Sequence, residues 1–308
     1  MGYLPIEDHG VIGDLYTVAL VGIDGTIDWC CLPHFDSPSV FASILDDTIG
    51  GCFKLSSEET VKSAQMYHPD SNILVTRSFT KNGLGQIEDF MPISRTERRK
   101  VHQIIRKVSC VRGEIQYTLE CKPAFNYAQS RHSIRMCDGG AIFETGGRET
   151  FALQSPIALS IKGGAATTTF TLAEGDALYF VFFRLTEDLS GDPFQHIYDP
   201  AEQFEHTRQF WQRWVQQCTY RGRWRDMVYR SALTLKLLTF EPTGAIVAAP
   251  TMGLPEEIGG FRNWDYRYTW IRDASFTIYA FMRIGYFEEA ERFMNWLAAR
   301  CDEIDTKN

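Results

Sequence analysis

The chain has 308 residues, 44% of them hydrophobic and 13% aromatic, which suffices for a packed core and about two domains. Its net charge of −8 excludes the basic field of a nucleic-acid surface, and the run RTERRK at 95–100 reads as a solvated loop.

The N-terminal run MGYLPIEDHG carries acidic residues where a secretory signal has a basic and then an apolar stretch. No apolar run approaches the ~20 residues of a membrane span, so a soluble, cytoplasmic protein is expected. From residue 17 to about 185, short strands alternate with turns of recognisable chemistry. Segments 17–22 and 26–31 flank Asp24-Gly25, a dipeptide that accepts positive φ and closes tight hairpins. The same logic pairs 73–80 with 86–91 across Asn82-Gly83, 101–111 with 114–122 across Arg112-Gly113, and 133–137 with 141–145 across Asp138-Gly139-Gly140. Strands 151–161, 167–172 and 177–185 follow. Hairpins at this spacing, with no helix between them, predict an antiparallel β-sandwich over residues 1–190. The eight cysteines, Cys30, Cys31, Cys52, Cys110, Cys121, Cys137, Cys218 and Cys301, show no C-x-x-C pair or metal-site rhythm. Most are expected to be buried thiols, and no metal or cofactor is expected.

After Asp199-Pro200 the apolar period changes from two to about three and a half. Helix 201–217 puts Phe204, Trp211, Trp214 and Val215 on one face. Helix 225–240 repeats the signal with Val228, Ala232, Leu235 and Leu238, and stops at Glu241-Pro242-Thr243-Gly244. Helices 273–284, ended at Gly285, and 287–301 complete the pattern. Residues 191–223 form the linker and linker helix, and 224–308 the start of a helical domain. So few helices with so many apolar residues cannot close a domain. Either they pack on the sandwich or the protein continues past Asn308.

Segment 248–275, AAPTMGLPEEIGGFRNWDYRYTWIRDAS, is the unusual one. A core strand would not carry so many charges, nor a solvent loop so many aromatics. Sugar sites need both: flat rings cover the C–H face of a pyranose, while carboxylates and guanidinium groups bond its hydroxyls. Taken singly, Asp273 reads as a helix N-cap and Trp270 as a core anchor. The segment as a whole reads as a site loop in a Gly/Pro-rich connection.

The run GLPEEIGGFRNWDYRYTWIRDASFTIYAFMRIGYFEEAERFMNWL resembles the opening of the catalytic domain of glycoside hydrolase family 15, the glucoamylase and trehalase-like family. GVIGDLYTVALVGIDGTIDWCCLPHFDSPSVFASILDD resembles the β-sandwich that precedes it in prokaryotic members. The resemblance implies a sandwich, a linker helix and an (α/α)6 barrel of which this chain holds the first helices. It also implies an inverting α-glucoside hydrolase acting on terminal α-linked glucose, in trehalose or short α-glucans. The partner is then a small sugar, with no nucleic acid and no membrane; a homo-oligomer is compatible with it. The family's Tyr-x-Tyr-Thr-Trp-x-Arg-Asp pattern falls on Tyr266, Tyr268, Thr269, Trp270, Arg272 and Asp273. By resemblance, Arg272 and Asp273 bind glucose hydroxyls, Tyr266 lines the reacting face, Trp270 shapes the subsite, and Trp264 joins the substrate-binding set.

The family's general acid and base, two glutamates ~6.5 to 9.5 Å apart, lie far downstream and are expected outside residues 1–308. Glu256 with Glu257, adjacent in sequence, cannot face each other across a sugar, and in the pair Asp265 and Asp273 the second is better explained as a hydroxyl ligand. Where relatives often have Pro-Arg-Phe-Asp, this chain has Pro33-His34-Phe35-Asp36, which leaves the role of that loop open. The rival reading is a non-catalytic sugar-binding or interaction module. Trehalase and glucoamylase specificity stay unseparated, because the acceptor subsites come from helices beyond residue 308.

Overall fold

A computed structural model describes residues 3–93, 101–146, 149–185, 194, 198–257 and 259–305. The basic run at 95–100 and the boundary expected near residue 190 lie outside the described residues.

An antiparallel β region precedes four helices. β1 (His9–Gly13), β2 (Val18–Gly22) and β3 (Thr26–Cys31) form a meander, with Gly25 at φ 83° closing the turn as Asp24-Gly25 predicts. β4 (Ser39–Phe41) and β5 (Cys52–Ser56) pair with β3. β6 (Lys62–Tyr67), β7 (Leu74–Phe79) and β8 (Gly83–Phe90) make a second meander that turns before Gly83.

β9 (Gln103–Lys122) joins the two, and here the expected hairpin across Arg112-Gly113 is wrong: the chain runs on as one strand of 20 residues. Its first half pairs with β8 and its second with β5, so the edges needed for a hairpin are already taken. Gly113, at φ 77°, bends the strand from one sheet into the other, and a Cβ there would lie 2.1 Å from the Asn82 carbonyl oxygen. β10 (His132–Cys137) and β11 (Gly140–Thr145) pair across Asp138 and Gly139 as expected. The expected strand 151–161 splits at Ser155-Pro156, where Pro156 has no N–H to give and Ser155 Oγ bonds Ile157. β12 (Thr150–Gln154) stays beside β11, while β13 (Ser160–Lys162) leaves to pair with β14 (Ala165–Ala173). β14 and β15 (Ala177–Leu185) then line the two halves of β9.

The resulting sheet is folded over on itself: Val21 and Phe53 from one half share a core with Ile87 and Phe182 from the other. Arg106, wholly buried in β9, is its polar centre. Its Nε and Nη2 donate to Asp89 at 2.8 and 3.2 Å, Nη1 to the Phe53 carbonyl at 2.6 Å, and Nη2 to that of Gly25 at 2.8 Å.

The helices are α1 (Pro200–Val215), α2 (Arg225–Leu237), α3 (Ile271–Arg283) and α4 (Phe287–Asp305). Asp199 caps α1 by accepting from Ala201 N at 2.9 Å. Trp211, Trp214 and Val215 enter a core with Leu233, Phe281 and Tyr286, to which the β region contributes Leu15, Val18 and Phe35. Trp214 stacks on Tyr286 at 4.0 Å and donates to Glu289 at 2.6 Å, so α1 is tied to α4. Phe204 packs instead on the outer face of the folded sheet, beside Phe90. The helices therefore rest on the β region and leave the α2–α3 connection lying across β3.

Candidate sugar-binding site

That connection is an irregular hairpin. Ala249 N donates to Tyr266 O at 2.9 Å, Tyr266 N to Thr251 O at 3.3 Å, and Gly253 N to Trp264 O at 3.2 Å. Its first branch is fixed to the β region by the buried Trp29, whose Nε1 donates to Pro250 O at 2.8 Å, and by Met252, which packs on Trp29, Cys31 and Ala42.

The second branch reads Trp-Asp-Tyr-Arg-Tyr; it pairs with the first branch at Asp265 and bends at Arg267 and Tyr268. The two charged residues turn inward. Arg267 is 5% exposed; its Nε and Nη2 donate to the two oxygens of Asp265 at 3.0 and 2.8 Å. Its Nη1 reaches the carbonyls of Phe35 and Ser37 at 3.3 and 2.9 Å and lies 3.5 Å from Cys31 Sγ. Burial works against the guanidinium charge, but the Asp265 bonds together with Cys31 and Tyr127 outweigh it and hold the pKa above its ordinary value. Burial likewise pushes the Asp265 carboxyl up, and the bonds from Arg267 bring it below the usual carboxylate value. Asp265 is thus an ion committed to its neighbour and unsuited to donate a proton.

The aromatics turn outward: Trp264 is 48% and Tyr268 54% exposed, with Tyr266 half-buried between them. Tyr266 stacks on Trp270 at 5.2 Å, and Trp264 meets Trp270 edge-on at 6.4 Å. Trp264 Nε1 donates to Glu256 at 3.0 Å, and Glu256 also lies 3.5 Å from Arg262. Beside the platform, Arg272 sits 6.0 Å from the Trp270 ring and donates through Nε to Asp273 at 3.2 Å.

The five expected substrate-binding residues therefore come together on one side of the segment. Neither single-residue alternative survives. α3 starts two residues before 273, with Trp270 at its N-cap and no side-chain cap bond, so Asp273 is the third helical residue and not the cap. Trp270 is only partly buried, stacks on Tyr266 and belongs to none of the core clusters among the described residues. His34 packs among Tyr16, His102 and Phe240, and burial followed by the nearby His102 lowers its pKa. The loop bearing it serves the site through the backbone carbonyls of Phe35 and Ser37. Asp265, weighed from the sequence only as a catalytic carboxylate, is instead the partner of Arg267; Arg267 and Trp29 were not foreseen as anchors, and the alternation in Trp-Asp-Tyr-Arg-Tyr was the signal for Arg267.

Residues 222–307 match the family model of glycosyl hydrolases family 15, and residues 2–174 match the trehalase-like N-terminal model. The trehalase of Thermoplasma volcanium is 40% identical over 95% of this chain and 47% of its own length. That of Mycolicibacterium smegmatis is 35% identical over 96% of this chain and 47% of its own. The chain belongs to glycosyl hydrolase family 15. A bacterial glucoamylase complexed with acarbose shares the fold of this family 15 chain, with a TM-score of 0.68 and 13% identity over 97% of this chain and 50% of that one. The chain spans about half the length of the curated relatives it matches. Its family 15 match takes in the aromatic platform and both helices that follow it, α3 and α4. Among the described residues no helix is long and apolar enough to cross a membrane, and no group of three or more His, Cys, Asp or Glu could hold a metal ion.

Proposed function

We propose that this chain is the front part of an inverting α-glucoside hydrolase of trehalase type, and that the outward platform of Trp264, Tyr266 and Trp270 receives the terminal glucose. The observation that carries the reading is that these rings and the Arg272–Asp273 pair lie together on the exposed side of one segment. Trp270 and Tyr266 cover the apolar face of the sugar, Arg272 and Asp273 hold its hydroxyls, and Tyr266 lies nearest the carbon where positive charge develops. Water attacks that anomeric carbon from the face opposite the leaving oxygen.

The general acid and base come from sequence outside residues 1–308. Two facts support this: the chain spans about half of its relatives' length, and the carboxylates beside the platform are engaged, Asp265 by Arg267, Asp273 by Arg272 and Glu256 by Trp264 and Arg262. On the same reading α2, α3 and α4 are the first helices of an (α/α)6 barrel, with domain limits at 1–190, 191–223 and 224–308. Trehalose is the substrate because the relatives at 34–40% identity are trehalases. The eight cysteines, all free thiols, suit a reducing cytoplasm.

The test is hydrolysis of trehalose and maltose by the full-length protein, followed by NMR before mutarotation. Inversion yields one α- and one β-glucose per trehalose. Two α-glucose molecules as first products would rule the mechanism out.

A further inference from the structure

We infer that Asp265 and Arg267 form a positioning latch through which the N-terminal β region sets the sugar-binding segment, making that region a working part of the site. What the segment binds rests on the function proposed above; the latch itself is read from geometry.

The latch residues interleave one for one with the platform residues. Arg267 is held against the β region and Asp265 is bonded to it, so that contact fixes the segment with Trp264 and Tyr268 left exposed on either side and Tyr266 between the two latch residues. The acceptors of Arg267 Nη1 are backbone carbonyls in the loop after β3, more than two hundred residues away in sequence, so they form a frame that side-chain motion does not disturb. Cys31 Sγ and the Tyr127 ring, 5.7 Å from the guanidinium, close the cage around it. Lifting the segment would strip a buried charge of both carbonyls together, leaving it only Asp265, which moves with it.

The other branch of the hairpin is pinned independently, by Trp29 Nε1 on Pro250 O, and backbone bonds between the branches join the two anchors. Tyr266 lies between Asp265 and Arg267 and stacks on Trp270, the N-cap of α3. The β3 frame is thereby transmitted to both rings and to the helix turn that carries Arg272 and Asp273. Since a displacement of ~1 Å in a positioned group can cost ~10²-fold in rate, such a frame has kinetic consequences.

The experiment uses the full-length protein with Arg267→Met and Arg267→Lys. Steady-state kinetics on trehalose, well below each variant's melting temperature, are combined with hydrogen exchange read by mass spectrometry. Arg267→Met should lower kcat/KM by ~10²-fold and raise exchange at 262–268, with β1 and β2 unchanged; Lys, which keeps the charge but not the fork, should recover part of both. A kcat/KM within about twofold of wild type, or exchange rising equally through β1 to β5, would overturn the inference. If Arg267→Met does not fold, Asp265→Asn carries the same comparison with an expected loss of ~10-fold, because it leaves the carbonyl bonds in place. If the wild-type protein hydrolyses no α-glucoside, the proposed function fails and exchange alone decides: a rise confined to 262–268 upholds the latch, and no local rise refutes it.

Discussion

Asp273 stands in the first turn of α3, bonded to Arg272, with no part in capping the helix. Asp273→Asn therefore removes a charge without removing a cap, and stability should stay within ~0.5 kcal/mol of wild type. On the proposed role, its charge-assisted hydrogen bond to a glucose hydroxyl is worth roughly 1.5–3 kcal/mol, so kcat/KM should fall by at least ~10-fold. Melting and kinetics on one preparation check both halves, and unchanged kinetics would take Asp273 out of the site and weaken the case for Arg272. Two histidines give opposite pH signatures. The Asp28 bond at 2.8 Å raises His9 above the usual 6.5 despite burial. Its stabilisation is complete below 6.5 and is lost as pH rises through the raised folded value. Burial, with His102, lowers His34 below 6.5, so its stabilisation is present above 6.5 and is lost as pH falls through the lowered value. Melting temperatures from about pH 5 to about pH 8 should show His9→Asn losing less stability than wild type on the alkaline side, and His34→Asn losing less on the acid side.

β9 is the element that organises the β region. The alternation in 103–122 was legible in sequence and so was a break at Gly113, but a glycine at positive φ serves a turn and a bent strand equally well. The choice was made by β8, β5, β14 and β15, which occupy both edges of β9. Arg106 shows how tightly the bent strand is held, since its guanidinium bonds β8 through Asp89, β5 through Phe53 and the β2–β3 turn through Gly25. Arg106→Ala would leave a buried carboxylate unpaired, at a cost of roughly 3–5 kcal/mol in urea unfolding. The double variant Asp89→Leu/Arg106→Met should recover much of that loss, because no charge is then stranded. Equal losses in both variants would show that the carbonyl bonds, and not the ion pair, hold the strand.

At the scale of the molecule, α2 and α3 present apolar side chains outward, Met227, Phe276 and Tyr279 among them, and Met227, Val228, Leu235, Tyr279 and Ile284 help to line a groove of about 340 Å³. Residues 1–308 expressed alone should therefore associate with rising concentration in sedimentation velocity, and Met227→Lys/Tyr279→Lys should reduce it. A monodisperse monomer at all concentrations would contradict the reading of that face. On the proposed function the same preparation should show no trehalose turnover, since positioning without a general acid and base forgoes ~10²–10⁴-fold or more of the rate. Robust hydrolysis would mean that the catalytic pair lies within this chain.

Periodicity and turn chemistry are local, and so the sequence by itself determined most strands, the four helices with their apolar faces, and the gathering of rings and charges in one segment. Partner choice is not local. Which edges β9 would take, which side of Trp-Asp-Tyr-Arg-Tyr would be buried, and whether Asp273 would cap α3 or merely follow its start were decided only by the tertiary structure. For Arg267 the reason is explicit: the carbonyls that accept its hydrogen bonds, those of Phe35 and Ser37, stand 232 and 230 residues away in the chain and become neighbours only when the segment lies down on β3.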